Sequence, residues 1–243
     1  MEKINVECHL PVTGEPFNAV EDVVFRRRSV RVYKKQQVPE YIIQRLLEAA
    51  RFAPSAGNGQ TWKFIVVQDA EMIKEMEADI LSVCNNISKW FYYLNNNSKM
   101  KSLISRIIQR LTPSNTHPVP FIASHLIATG KAGIFHGAPT VILMLADKRA
   151  PGDSAIEIGI TGQTLDLVAH SYGLGTCWNS FTKLLFKGAN NRKWKKRLNI
   201  KYPYSVVTAI TIGYSVGTPD GYVVRETKKT DWFGVDGKFR IVS

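Results

Sequence analysis

"LLEAARFAPSAGNGQTWKFIVV" (residues 46–67) runs from a helix through a polar loop into a strand, and it sets the character of the whole chain. Val38 to Arg51 predicts a helix. Pro39 suits its first turn, and Ile42, Ile43, Leu46, Leu47 and Ala50 make one apolar face. "APSAGNGQTW" (53–62) gathers Pro, Ser, Gly and Asn and predicts a loop, and "KFIVVQD" (63–69) predicts a short, largely buried strand.

Outward from this unit, helices and strands stay mixed. Ala70 to Val83 reads as helix and "PTVILMLAD" (139–147) as a buried strand. Ser154 to Tyr172 is a second strong helix, with Ile156, Ile160, Leu167 and Val168 on one side. Ser154 and Glu157 have capping-box spacing, and Gly173 closes the helix. "GTCWNS" and "SVVTAITIGY" (205–214) read as further strands. A single domain is expected over 1–243. It would carry an irregular arm (1–20) and an inserted, lid-like segment (85–135), where prolines around His117 and Val119 break regular structure. The tail from Pro219 reads as polar and extended, ending in a "DWFG" turn.

A hydrophobic content of 44% supports one substantial core, and aromatics spread along the chain exclude general disorder. The net charge of +12 attracts anions of any kind: nucleic acid, acidic membrane, acidic protein or phosphorylated cofactor. Cys8, Cys84 and Cys177 stand far apart without a CxxC pair, which argues against a disulfide framework or a zinc site. The first residues contain no signal-like apolar run, and the longest apolar stretch, "VILMLA", is far short of the ~20 residues of a membrane span. A cytoplasmic protein is expected.

Three stretches carry candidate chemistry. "FRRRSVRVYKK" (25–35) is open to three readings: a nucleic-acid patch, a solvated surface, or a cradle for one anion. Composition alone favours the solvated surface, while Arg27, Arg28 and Arg31 around Ser29 give the cradle a geometric argument, since guanidinium forks match phosphate oxygens. "PSAGNGQTW" is either a plain turn or, through Ser55, Asn58 and Gln60, a polar rim for a planar heterocycle. "HSYGLGTCWNS" (170–180) is no G-x-G-x-x-G fingerprint, because Trp178 stands at the third glycine's place. In it Gly175 and Thr176 would let backbone approach a ligand, and Cys177 reads as an inert buried thiol. His136 and His170 lack metal-ligand spacing. "RKWKKR" (192–197) reads as a solvated helix face or as a surface for an acidic partner.

Taken in order, "RRSVRVY" (27–33), 46–67, "HGAPTVILMLAD" (136–147), "IEIGITGQTLDLVAHSYGLGTCW" (156–178) and "IGYSVGTPD" (212–220) resemble the nitroreductase family of FMN-dependent enzymes. The resemblance implies an α+β fold, a mixed central sheet flanked by helices, in an intertwined homodimer with FMN at the subunit interface. Arg27, Arg28 and Ser29 would hold phosphate and ribityl oxygens, and Arg31 would lie nearer the pyrimidine ring. Pro54, Ser55, Ala56 and Asn58 would line the flavin from the opposite subunit, with Gln60 of the polar rim a further cofactor contact. Gly175, Thr176, Cys177 and Trp178 would pass beside the ring, and Arg225, helped by Lys228, would be a late phosphate ligand. Thr61 departs from the proline usual after the glutamine of the second motif.

The implied activity is two-electron transfer from NAD(P)H to an electron-poor acceptor such as a nitroaromatic or quinone. No catalytic acid is assigned. Rival reactions on the same fold are reductive dehalogenation, ene reduction and flavin reduction, and an acidic ferredoxin or flavodoxin is a rival donor. A non-enzymatic FMN sensor or store is the further alternative. No nucleic-acid, membrane or metal partner is expected.

Overall fold

A computed structural model of the chain describes residues 16–91, 118–217, 229–235 and 237–242, together with residues 100, 103, 107 and 110. Arg225 and Lys228 lie outside these, as do Cys8 and His117. The chain divides into two compact units, one formed by residues 1–27 and 219–243 and the other by residues 28–218. Among the described residues no helix is long and apolar enough to cross a membrane.

The first unit contains helix α1 (Ala19–Arg26) and the strands β5 (Thr230–Phe233) and β6 (Phe239–Val242). Asn18 starts α1 through a full capping box. Its Oδ1 accepts from the Val20 and Glu21 amides at 3.0 Å, and Glu21 Oε2 accepts from the Asn18 amide at 2.9 Å. Helix thus begins within the stretch read as an irregular arm. The expected "DWFG" turn is also replaced: Asp231, Trp232 and Phe233 belong to β5, which pairs antiparallel with β6. No residue of α1 is buried, and Trp232, Phe233, Phe239 and Ile241 are exposed.

The second unit is built on a four-stranded antiparallel sheet in the order β1-β2-β4-β3. Its strands are β1 (Trp62–Val67), β2 (Thr140–Asp147), β3 (Leu174–Asn179) and β4 (Tyr204–Tyr214). β2 lies inside the sheet and is buried on both faces, as its unbroken apolar run requires. Its side chains alternate as the pleat dictates. Ile142, Met144 and Ala146 enter one core with α2 (Glu40–Arg51) and α5 (Ser154–Ser171). Val141, Leu143 and Leu145 enter the other, with α3 (Ala70–Phe91), α4 (Pro118–Ala128), a 3-10 segment (Ser180–Phe186) and α6 (Asn190–Arg197). The α+β expectation of a sheet flanked by helices holds for this unit, but the four described strands pair antiparallel throughout where a mixed sheet was expected.

Four local readings change. α3 continues to Phe91, into the stretch read as an insertion. Pro118 and Pro120 sit in the first turn of α4, where the missing N–H groups have no helical partner to lose, so they open a helix instead of breaking one. α5 is capped by Asp153, whose Oδ1 accepts from the Ala155 amide at 2.7 Å, and not by Ser154. α5 also buries a different face from the one expected. Glu157, Ile158, Thr161, Gly162, Leu165, Asp166 and Ala169 point inward, while Ile156 and Ile160 are 61% and 38% exposed.

The basic run on α6 is only half solvated. Trp194 is fully buried, and Asp79 Oδ2 of α3 accepts from its indole N–H and from Lys193 Nζ, each at 2.7 Å. Glu75 of α3 pairs with Lys193 at 2.8 Å and with Arg197, and these hydrogen bonds hold its carboxyl below the usual range. One acidic partner for this run therefore lies within the same chain.

Residues 28–34 run along the β3–β4 end of the sheet. The Val30 amide donates to Thr176 O and the Lys34 amide to Tyr214 O, both at 2.8 Å, while the Val216 amide returns to Val32 O at 3.1 Å. Gly175 permits this closeness, since a Cβ there would meet the Val30 side chain at 2.7 Å. Tyr33 locks the turn. Its buried hydroxyl donates to Val30 O at 2.7 Å and lies 2.9 Å from Thr211 Oγ1, and burial pushes its pKa well above the ordinary tyrosine value.

Two stability predictions follow from this packing. Tyr33→Phe removes the hydroxyl between Val30 and Thr211 and should cost about 1–3 kcal/mol in a urea titration, the range for stranding buried polar groups. Gly162→Ala places a Cβ against the Trp178 ring and Met144 Sδ, and should cost roughly 1–3 kcal/mol by overpacking. Wild-type midpoints in both variants would contradict this account of the packing.

Candidate functional site

The docked segment brings two of the three predicted stretches together. Ser29 forms a parallel bridge with Thr176, so Arg28, Ser29 and Arg31 lie beside Gly175, Thr176, Cys177 and Trp178. Ser29 and Arg31 are exposed and Arg28 is half-buried. The positive charge of Arg31 reaches Tyr33, His136 and Cys177. Burial pushes the Cys177 thiol above the ordinary cysteine range, more than the Arg31 guanidinium draws it down. Cys177 is therefore a protonated, buried thiol, as the sequence suggested. His136 has its pKa lowered by burial first and by Arg31 second, so it is neutral at neutral pH.

The remaining strand residues are held from α5. Asp166 is fully buried. Its Oδ1 accepts from the Thr176 hydroxyl and its Oδ2 from the Trp178 indole N–H at 3.3 Å. The space opened at Gly175 is filled by Val30, so this glycine admits a side chain of the same chain, where the sequence reading expected a ligand. Arg27 ends the first unit, where its amide closes α1 on Val23 O at 3.0 Å.

The third stretch is a compact loop with unusual backbone. Gly57, Asn58 and Gln60 all adopt positive φ, at 58°, 54° and 45°. Holding a non-glycine residue there costs about 1–2 kcal/mol, so the loop must be fixed from outside. Glu157 does this. Its Oε1 accepts from the Ala56 amide at 3.0 Å, and its Oε2 accepts from the Thr61 hydroxyl. Within the loop, Ser55 Oγ accepts from the Gln60 amide at 3.0 Å, and Gln60 Nε2 donates to Asn58 Oδ1 at 3.2 Å. Pro54, Ala56, Asn58 and Gln60 remain exposed.

Sequence reading missed Glu157 and Asp166. A signal for both was present: they share the helical stripe of Thr161, Gly162, Leu165 and Ala169, at spacings of three and four.

The loop and the arginine segment stand at opposite ends of the sheet. Trp62, which follows the loop, lies opposite Ala146, and Ala146 opposite Ser205, whereas Thr176 lies opposite Ile212. From Ser205 to Ile212 is seven residues (212 − 205) along β4, or about 23 Å at the rise of a strand.

Comparison with known proteins agrees with this architecture. The model of the nitroreductase family matches residues 24–214. Nitroreductase NfnB of Mycolicibacterium smegmatis is 25% identical over 215 residues, covering 82% of this chain and 88% of that protein. A protein of Archaeoglobus fulgidus named for NADH dehydrogenase and NAD(P)H nitroreductase is 52% identical, but only over 54 residues. The match covers 22% of this chain and spans about a third (31%) of that relative's length. The crystal structure of a nitroreductase with bound FMN from Desulfitobacterium hafniense superposes with a TM-score of 0.61 at 27% identity, covering 86% of this chain and 95% of that one. With the family model spanning the sheet, its helices and the arginine segment, the chain belongs to the nitroreductase family.

Proposed function

We propose that this chain is an FMN-dependent oxidoreductase, working as a homodimer, that passes two electrons from NAD(P)H to an electron-poor acceptor such as a nitroaromatic or quinone. The observation that carries this reading is the separation within one chain. The arginine segment and the 54–60 loop lie about 23 Å apart along the sheet. No single small cofactor meets both from one copy, whereas a two-fold partner supplies the missing half to each site. The outward stripe of α5 supports this arrangement: Ile156 and Ile160 face water in the single chain, and burying them against a second copy is favourable.

The residues of the arginine segment fit a phosphomonoester. Arg28 and Arg31 bring two guanidinium groups and Ser29 a hydroxyl, on backbone fixed by the Val30–Thr176 bond and the Tyr33 clamp. Arg27 and Arg225 stand as further phosphate ligands on the sequence resemblance alone. Gly175 to Trp178 form the firm wall beside the ring, kept in place by Asp166. From the second copy, Pro54, Ser55, Ala56, Asn58 and Gln60 present short polar groups to the flavin rim. FMN supplies the two-electron chemistry when bound. Arg31 contributes a positive charge that favours a reduced, negatively charged ring. NAD(P)H as donor is supported by the naming of the Archaeoglobus fulgidus relative.

The purified protein should be yellow, sediment as a dimer, and bleach anaerobically when titrated with NADPH. Arg28→Ala and Arg31→Ala should each weaken FMN binding by roughly tenfold or more, the loss expected for one charge-assisted hydrogen bond. A colourless protein, or variants that bind FMN like wild type, would overturn the reading. Turnover of iodinated phenols with none of nitroaromatics would keep the flavin and replace the acceptor.

Glu157→Ala strands the Ala56 amide and the Thr61 hydroxyl far from the arginines of its own chain. It should nevertheless weaken FMN retention by about tenfold, because a loop released from positive φ no longer fits the partner's site. Unchanged retention in fluorescence titration would remove the loop from the site.

A further inference from the structure

The sequence contains no Asp or Glu between Asp166 and Asp220, yet it places a dense run of lysine and arginine there. The fold sorts these cations into two sets. Lys193 and Arg197 turn toward Glu75 and Asp79 and are neutralised. Lys183, Lys187, Arg192, Lys195, Lys196 and Lys201, joined by Lys148 from the end of β2, instead rim two adjoining hollows that share Lys195 and Ile200. None of these seven has an ion pair among the described residues. The hollow between the 3-10 segment and β4 has an apolar lining of Phe186, Ile200 and Val206.

We propose that this lysine-rimmed cleft docks the acidic face of a small electron-carrier protein, giving the proposed flavin site a second, protein donor; the donor role rests on the flavin reading above. A cluster of like charges stores self-repulsion that folding does not relieve, and an acidic partner relieves it. Lysine dominates the rim. Hydrated ammonium groups on flexible stems steer an encounter and release it, whereas guanidinium forks would hold phosphates in fixed geometry. A short apolar floor within a charged rim suits the small, transient interfaces of electron-transfer pairs and gives no continuous track for a nucleic-acid backbone.

Position supports the same partner. Lys148 directly follows Asp147, whose amide donates to Thr61 O at 2.9 Å, so the cleft begins beside the loop that carries Ser55, Asn58 and Gln60. Electron count also allows it. Two carriers, each oxidised by one electron, together with two protons from water, replace one nicotinamide hydride and one further proton.

The test uses the FMN-loaded full chain with two acidic probes, a plant-type ferredoxin and a flavodoxin. Binding is followed by calorimetry, and anaerobic reduction by stopped-flow absorbance. Wild type should bind at low salt and lose affinity steeply as salt rises. Lys183→Glu/Lys187→Glu/Lys201→Glu should slow carrier association by about tenfold or more while NADPH-driven reduction stays unchanged. The matching Lys→Gln triple variant should fall between them. A yellow protein that ignores both carriers, or binds them equally in all three forms, overturns the docking surface alone. Preferential binding of a DNA duplex or of phosphatidylserine vesicles through these lysines also overturns it. A colourless chain that still binds the carriers through these lysines overturns the flavin reading and leaves the docking surface standing.

Discussion

Two carboxylates on the buried face of one helix hold the candidate site in place. Glu157 fixes the strained 54–61 loop and Asp166 fixes the β3 wall, and each is itself nearly or wholly shut off from water. A buried carboxylate is tolerable only with its acceptor capacity used, so both must find donors as the chain folds. The donors they find are the Ala56 amide, the Thr61 and Thr176 hydroxyls and the Trp178 indole, all on or beside the stretches that carry the proposed cofactor contacts. α5 therefore acts as a ruler: Glu157 and Asp166 are nine residues apart (166 − 157), which spaces the two carboxylate-bearing residues about 13 Å along the helix axis, one gripping the loop and the other the strand.

That ruler explains why α5 turns its isoleucines outward. A helix whose inner stripe is occupied by Glu157, Thr161 and Asp166 has less room there for large aliphatic groups. The hydrophobic side chains on its other flank, Ile156 and Ile160, are left for whatever covers that flank. In the proposed dimer the polar inner face shapes each half-site and the apolar outer face brings the halves together, so assembly and cofactor binding become one requirement.

Much of the architecture was legible in the residues. The α2 face, the β2 run and the Gly173 helix end follow from spacing and hydrophobicity alone, and the structure places all three as expected. The arginine segment was recognisable as chemistry, but its seat on β3 was not. That seat depends on Val30 entering the space at Gly175 and on a buried tyrosine hydroxyl reaching Thr211, contacts between residues far apart in sequence. The buried face of α5 was misread for a related reason. Hydropathy ranks Ile above Glu, and the donors brought by the 54–61 loop and β3 reverse that order in favour of the stripe that carries Glu157 and Asp166. The two prolines of α4 misled because a helix-breaker in mid-run is a helix-starter at the first turn, and spacing alone does not say which.

The clasp between α3 and α6 joins residues 114 apart, with the acidic half made first. A chain emerging from its amino end therefore has Glu75 and Asp79 in place before Trp194 and its flanking cations leave the ribosome. A circular permutant that begins at the glycine turn before α6 would reverse this order and leave a positively charged, tryptophan-bearing helix waiting without its counterpart, open to the nearest polyanion in the cell.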